Sequence, residues 1–186
     1  MADRLVRDLS AISDASTDPE FLAVAERVLA AGVPWITRLH ALGALVWRST
    51  PGLEGLGLYL AAPPGIRLAL VAGQGGPGAL EVPWSLGVAG AAAGDRAVQI
   101  VPRVGMLPGH GLVSWTAQSA LAVPIIIHGG AMGVILLTAT DPDRLGPFEA
   151  ERILAVAGSV QAHCPPAWAR GLPTGFGGEG PPTDGQ

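Results

Sequence analysis

The chain has 186 residues, 49% apolar and only 14% charged, which excludes a disordered chain or a coiled coil and fits one globular domain. Eleven basic residues, all arginine, face fifteen acids for a net charge of -4, so no basic patch is available to neutralise phosphates and nucleic acid is not an expected partner. A single cysteine, Cys164, excludes a disulfide framework and a cysteine-rich metal site.

Leu5, Leu9 and Ile12 share a helical face, so residues 1–17 read as a helical lead-in. Asp18-Pro19 is a helix start, with Asp as N-cap and Pro at the first helical position. Phe21, Leu22, Ala25, Val28 and Leu29 then recur at helical spacing up to Gly32. A second helix is predicted from about Pro34, with Trp35, Leu39, Leu42 and Val46 on one face.

After Thr50-Pro51-Gly52 the pattern changes to strands. Leu56 to Ala62 and Ile66 to Ala72 are separated by Pro63-Pro64-Gly65, and Ala79 to Pro83 and Val98 to Val101 are shorter. Between the last two lies a run of small residues, Gly87 to Ala93, which carries no clear period. Leu121 to Ile127 and Ala131 to Ala139 flank His128-Gly129-Gly130 and read as a hairpin. A last helix is predicted from Gly146-Pro147, with Glu149 and Glu151 in its first turn and Ile153, Ala157 and Val160 as its stripe. Cys164-Pro165-Pro166 ends it, and residues 165–186, rich in Gly and Pro, read as a disordered tail. The order is helix, helix, five to six strands, helix. It implies an α+β domain over residues 18–164, a central antiparallel sheet with the N- and C-terminal helices packed on one face.

The mean hydropathy of +0.42 raises the question of a membrane span. The apolar stretch Ala120 to Thr140, part of the uncharged run between Arg103 and Asp141, is long enough to cross a bilayer, but Pro124 and the His-Gly-Gly break fit a strand pair instead. Met1 to Leu9 mixes Asp3 and Asp8 with Arg4 and Arg7 and lacks the apolar stretch of a signal peptide. The expectation is a cytoplasmic protein without a membrane partner.

Three stretches together resemble a GAF domain, and more narrowly the GAF-type free methionine-R-sulfoxide reductases. They are Trp35-Ile36-Thr37-Arg38-Leu39 with Gly57-Leu58-Tyr59-Leu60; Val82-Pro83-Trp84-Ser85-Leu86-Gly87-Val88-Ala89-Gly90; and Pro108-Gly109-His110 through Ser119 to Val123-Pro124-Ile125 and Gly133-Val134-Ile135. The resemblance implies a GAF fold over roughly residues 20 to 162 and a pocket bordered by Tyr59, Trp84, His110, Val113, Ser114, Trp115, Ala120, Leu136 and Thr138.

The departures from that family bear on function. Its reductases attack the sulfoxide with one thiolate and resolve the intermediate as a disulfide. Aligned by these motifs, their cysteine positions hold Ala79, Ala89 and Val113. The aspartate after the last cysteine aligns with Ser114, the amine-binding glutamate with Ala120, and two further acids with Leu136 and Thr138. The substrate-stacking tryptophan falls at Gly55, whereas Tyr59 is kept. The scaffold is therefore expected to have lost both its sulfur chemistry and its cradle for an amino group.

The remaining motifs have bland readings beside the sharp ones. Gly73 to Gly78 contains G-x-G-x-x-G, but strand-like Ala79 to Pro83 follows where a dinucleotide site requires a helix. His40, His110, His128 and His163 have no metal-helix spacing, so no metal and no cofactor is expected. Cys164, at a helix C-terminus, reads as an inert thiol. Trp84 and Trp115 could stack on a ligand or plug the space left by lost polar groups.

Three functions fit these residues. The first is a non-catalytic signalling module that binds a small apolar or weakly polar ligand or holds a separate signalling protein. The second is a homodimeric scaffold with a filled pocket, paired through the stripes of its first and last helices. The third is an altered oxidoreductase working through His110, Ser114, Thr138 or Cys164, although none has a base-orienting carboxylate at a readable spacing.

Overall fold

The computed structural model of the chain describes residues 18–62, 67–76, 78–106 and 116–169. Helices α1 (Asp18–Leu29) and α2 (Trp35–Ser49) form where the apolar spacing predicts them. Phe21, Ala25, Val28 and Leu29 are buried on α1, and Trp35, Leu39, Leu42 and Val46 on α2. Arg38 secures the turn between them: its Nε donates to the Val33 carbonyl at 2.8 Å and its Nη1 to the Leu29 carbonyl at 2.9 Å. A carbonyl at a helix C-terminus lacks an intrahelical partner, and the guanidinium supplies one.

Six strands follow: β1 (Gly55–Ala62), β2 (Arg67–Gly75), β3 (Glu81–Pro83), β4 (Gln99–Val101), β5 (Ser119–Ile127) and β6 (Gly130–Ala139). They form one sheet in the order β3-β2-β1-β6-β5-β4, with every neighbouring pair antiparallel. The predicted hairpin is β5–β6. His128 and Gly129 both adopt positive φ (51° and 79°), the geometry that a two-residue hairpin turn requires. No helix among the described residues is long and apolar enough to cross a membrane. The apolar stretch Ala120 to Thr140 falls on this strand pair.

Helix α3 (Gly87–Asp95) corrects the predicted element order, because it stands between β3 and β4 where the run of small residues showed no period. Glycine costs about 1 kcal/mol in a helix relative to alanine, so this segment depends on packing rather than propensity. It packs on β5 and β6, with Val88, Ala89, Ala92 and Ala93 buried. Short side chains let the helix lie close to the sheet, and Gly90 makes the tightest approach. A Cβ there would stand 2.2 Å from the Pro83 carbonyl oxygen.

Helix α4 (Pro147–His163) starts at the predicted Gly146-Pro147. Glu149 accepts from the Gly146 backbone N–H at 3.1 Å and from Arg144 Nη1 at 2.5 Å. Burial alone would raise its carboxyl pKa, but these bonds and the Arg144 charge outweigh it and hold the pKa below the usual range. The predicted tail begins too early. A short helix, α5 (Pro166–Ala169), follows the prolines, and Trp168 is 4% exposed within the core, so the folded domain extends past residue 164. The lead-in (residues 1–17) and the tail from residue 170 lie outside the described residues.

Period-two alternation along the central strands sorts the side chains onto two faces. Leu56, Leu58 and Leu60 of β1, Leu121, Val123 and Ile125 of β5, and Ile135 and Leu137 of β6 pack with α1, α2 and α4. Tyr59, Ala120, Ala122, Val134 and Leu136 point the other way and pack with Val82, Val88, Ala89, Ala92 and Ala93. Fully burying a leucine contributes about 2 kcal/mol, so a one-residue slip, which exchanges the faces, is strongly disfavoured.

Gly90→Ala is expected to destabilise the fold by about 1–3 kcal/mol despite alanine's better helix propensity, because the new Cβ meets a backbone oxygen. Gly158→Ala, on the exposed side of α4 with nothing within 4 Å of the added Cβ, is expected to stabilise it by about 0.5–1 kcal/mol. Urea denaturation midpoints read both. A G90A midpoint at or above wild type would contradict the close approach of α3.

Candidate functional site

The face opposite α1, α2 and α4 holds most of the predicted site residues that are described. Tyr59, Ala120 and Leu136 are at most 1% exposed and belong to one apolar cluster, with Trp84 half-buried at its margin. Ala79 and Ala89, two of the positions that the resemblance equates with cysteines, pack into the same cluster. Thr138 stands on β6 two residues beyond Leu136, paired with Gly55 on one side and Ala120 on the other. His110, Val113, Ser114 and Trp115 lie outside the described residues.

Tyr59 is anchored within the protein. Its hydroxyl donates to the Ala79 carbonyl at 2.9 Å, which fastens the segment before β3 against the sheet. Burial pushes its pKa up to about 12, so the phenol stays protonated near neutral pH. Trp84 is placed differently. Its Nε1–H is buried and has no hydrogen-bond partner among the described residues. An unmatched buried donor costs about 1–3 kcal/mol.

Sequence reasoning missed the carboxylate at the end of this face. Glu54 precedes β1, and its backbone is held from both sides: its N–H donates to the Thr138 carbonyl at 2.8 Å, and its carbonyl accepts from Gly76 N–H at 3.0 Å. Its side chain accepts from the Thr116 hydroxyl through Oε1. Thr138 Oγ1 lies 3.3 Å from both Glu54 Oε2 and the Gly55 carbonyl, so one O–H is shared between them. Gly55 makes this arrangement possible. A Cβ at that position would stand 2.0 Å from the Gly76 carbonyl and 2.8 Å from Thr138 Oγ1, which also excludes a stacking tryptophan. The only sequence signal for Glu54 is an acid beside a glycine that opens an apolar strand.

The other motifs fall away from this site. Gly73, Gln74 and Gly75 are part of β2, so the glycine-rich run does not open a helix. His163 lies in a separate network between α1 and α4, where its Nδ1–H donates to the Ser159 carbonyl at 3.0 Å and its Nε2 lies 3.4 Å from Glu26. The Ser159 hydroxyl donates to the same Glu26 carboxylate. No group of three metal-ligating side chains occurs among the described residues. An open groove of about 450 Å³ is lined by Arg103, Gly105, Ala117, Gln118 and Pro142, none of them a predicted site residue.

This architecture is that of a GAF domain. A solved GAF domain superposes on it with a TM-score of 0.75 at 25% identity, covering 82% of this chain and 91% of that one. The chain has the GAF fold, and within that fold it resembles the free methionine-R-sulfoxide reductases. The free methionine-R-sulfoxide reductase of Saccharomyces cerevisiae is 28% identical over 138 residues, 71% of this chain and 77% of that protein. Protein ZMO0507 of Zymomonas mobilis is 30% identical over 120 residues, 63% of this chain and 71% of that protein. No family model matches the chain.

Tyr59→Phe removes the bond to Ala79 and leaves its carbonyl short of a partner. A loss of about 1 kcal/mol in chemical denaturation is expected, together with faster amide exchange at Leu80 and Glu81. Unchanged stability and exchange would show that the hydroxyl does not hold this segment.

Proposed function

We propose that this chain is a non-catalytic GAF module that binds a small molecule on the face opposite its terminal helices. One observation carries the reading: the single thiol is on the wrong side of the sheet. Cys164 follows α4 and packs against the α1, α2 and α4 core, whereas Tyr59, Ala120, Leu136 and Thr138 occupy the other face. Burial pushes the Cys164 thiol pKa up to about 11, so at neutral pH it is protonated and a poor nucleophile. Thiol-based sulfoxide reduction further requires a second cysteine to release the first as a disulfide, and this chain has one.

The polar groups on the site face suit binding better than turnover. The Tyr59 hydroxyl is committed to Ala79, and Thr138 shares its proton between two oxygens. The Trp84 N–H, unmatched among the described residues, favours a ligand, since a bound acceptor would offset its desolvation. The near-complete burial of Tyr59, Ala120 and Leu136 favours a second reading, a scaffold whose pocket is filled by its own side chains. In either case output passes to a second copy of the chain or to a separate signalling protein.

The purified chain, incubated with free methionine-R-sulfoxide and dithiothreitol, is expected to give no methionine above a protein-free control. Turnover that disappears in Cys164→Ala would overturn the non-catalytic reading.

A further inference from the structure

We infer that Trp84 is the polar anchor of this site, its indole N–H donating to the carbonyl oxygen of a small, uncharged, largely apolar ligand. The inference rests on the ligand-binding reading above and adds to it the chemical class of the ligand.

Two tryptophans carry a buried indole nitrogen with no hydrogen-bond partner among the described residues, Trp35 and Trp84. Trp35 is 4% exposed and packs inside the core beneath α1, α2 and α4. Trp84 is placed where a ligand can reach it. It is partly exposed and packs against the margin of the opposite cluster, which holds Tyr59, Ala120 and Leu136. An indole has one donor and no acceptor, so the group that completes Trp84 must itself be an acceptor. A buried donor left unmade costs more than an ordinary hydrogen bond contributes, which gives an acceptor here unusual leverage.

The connection that carries Trp84 is fixed on both sides of it. Before it, the Ala79 carbonyl accepts from Tyr59 at 2.9 Å and the Leu80 carbonyl from Leu70 N–H at 2.8 Å. After it, Ser85 takes a positive φ of 63°, and its N–H donates to the Gly90 carbonyl at 2.8 Å. A donor whose position is already set costs little further entropy when a ligand meets it. The flanking residues select an uncharged ligand with an apolar body. Leu80 is 74% exposed and Leu86 45%, so large apolar side chains stand in solvent on either side of Trp84 in the chain. Glu81 is the one charged residue between them, and it pairs with Arg67 at 3.1 Å. An ion drawn onto this surface would lose hydration and find no counter-charge, whereas a ketone or amide oxygen is far cheaper to desolvate.

The test is a titration of the full chain, labelled for NMR, with three ring probes: cyclohexanone, its hydrocarbon isostere methylenecyclohexane, and cyclohexylammonium chloride. The five tryptophans give five indole N–H signals, assigned through the backbone, and the Val88 and Ala89 amides report occupancy. Cyclohexanone is expected to move the Trp84 indole signal downfield and saturably while the Trp35 signal stays in place. Methylenecyclohexane should bind at least about fivefold more weakly. Cyclohexylammonium should not bind. In Trp84→Phe, which keeps a ring against the cluster, cyclohexanone and methylenecyclohexane should bind alike. Equal affinities of these two for the wild-type chain, or an unmoved Trp84 indole signal at cyclohexanone saturation, overturn the anchor and leave the ligand site standing. That comparison holds even if the variant fails to fold. A preference for cyclohexanone that survives in Trp84→Phe, or tighter binding of cyclohexylammonium, overturns the anchor as well. Absence of saturable shifts with all three probes overturns the ligand-binding reading and the inference together.

Discussion

The antiparallel register of β1, β6 and β5 determines where every chemically useful group of this domain can stand. Gly55 pairs with Thr138 and Thr138 with Ala120, and from those pairs each following residue alternates between two faces of one sheet. The helix face takes the larger side chains and most of the burial. The other face takes alanines, leucines, one tyrosine and one threonine beneath a helix of glycine and alanine. A shift of one residue would exchange the two sets and expose most of the core, so the register is held by the same burial that stabilises the fold.

That separation underlies the proposed loss of sulfur chemistry. A sheet with packed layers on both sides stands between Cys164 and the face that the reductase resemblance marks as the pocket. We propose that what remains on the pocket face serves recognition. Tyr59 braces the segment before β3, Trp84 offers a donor unmatched among the described residues, and Glu54 stands where β1 begins, tied to β6 and to Thr116. The similarity to the free methionine-R-sulfoxide reductases thus describes a shared scaffold, and the loss of their sulfur chemistry is what we propose for this chain.

Much of the fold was legible in the sequence because its signals are local. Asp18-Pro19, the stripes of α1 and α2, and Gly146-Pro147 mark helices by capping and period, and His128-Gly129 marks the hairpin by its required positive φ. Helix α3 was not legible. Gly87 to Asp95 has no polar face to contrast with its buried one, and its stability comes from contact with β5 and β6. Trp168 was hidden by the prolines around it, since composition suggested a tail where a single large side chain docks into the core. The site was legible only in part. Alternation along β5 and β6 places Ala120, Leu136 and Thr138 together, but Glu54 reaches Thr138 through a contact across 84 residues that no spacing rule reports. The segment carrying His110, Val113, Ser114 and Trp115 lies outside the described residues.

The central claim is that this face holds a ligand and performs no chemistry on it. Native mass spectrometry of the chain purified from its own host, followed by the same measurement under denaturing conditions, tests it most directly. The account predicts an added small-molecule mass on the native protein that is lost intact on unfolding. A native mass equal to that of the bare chain, in every oligomeric state observed, would contradict it.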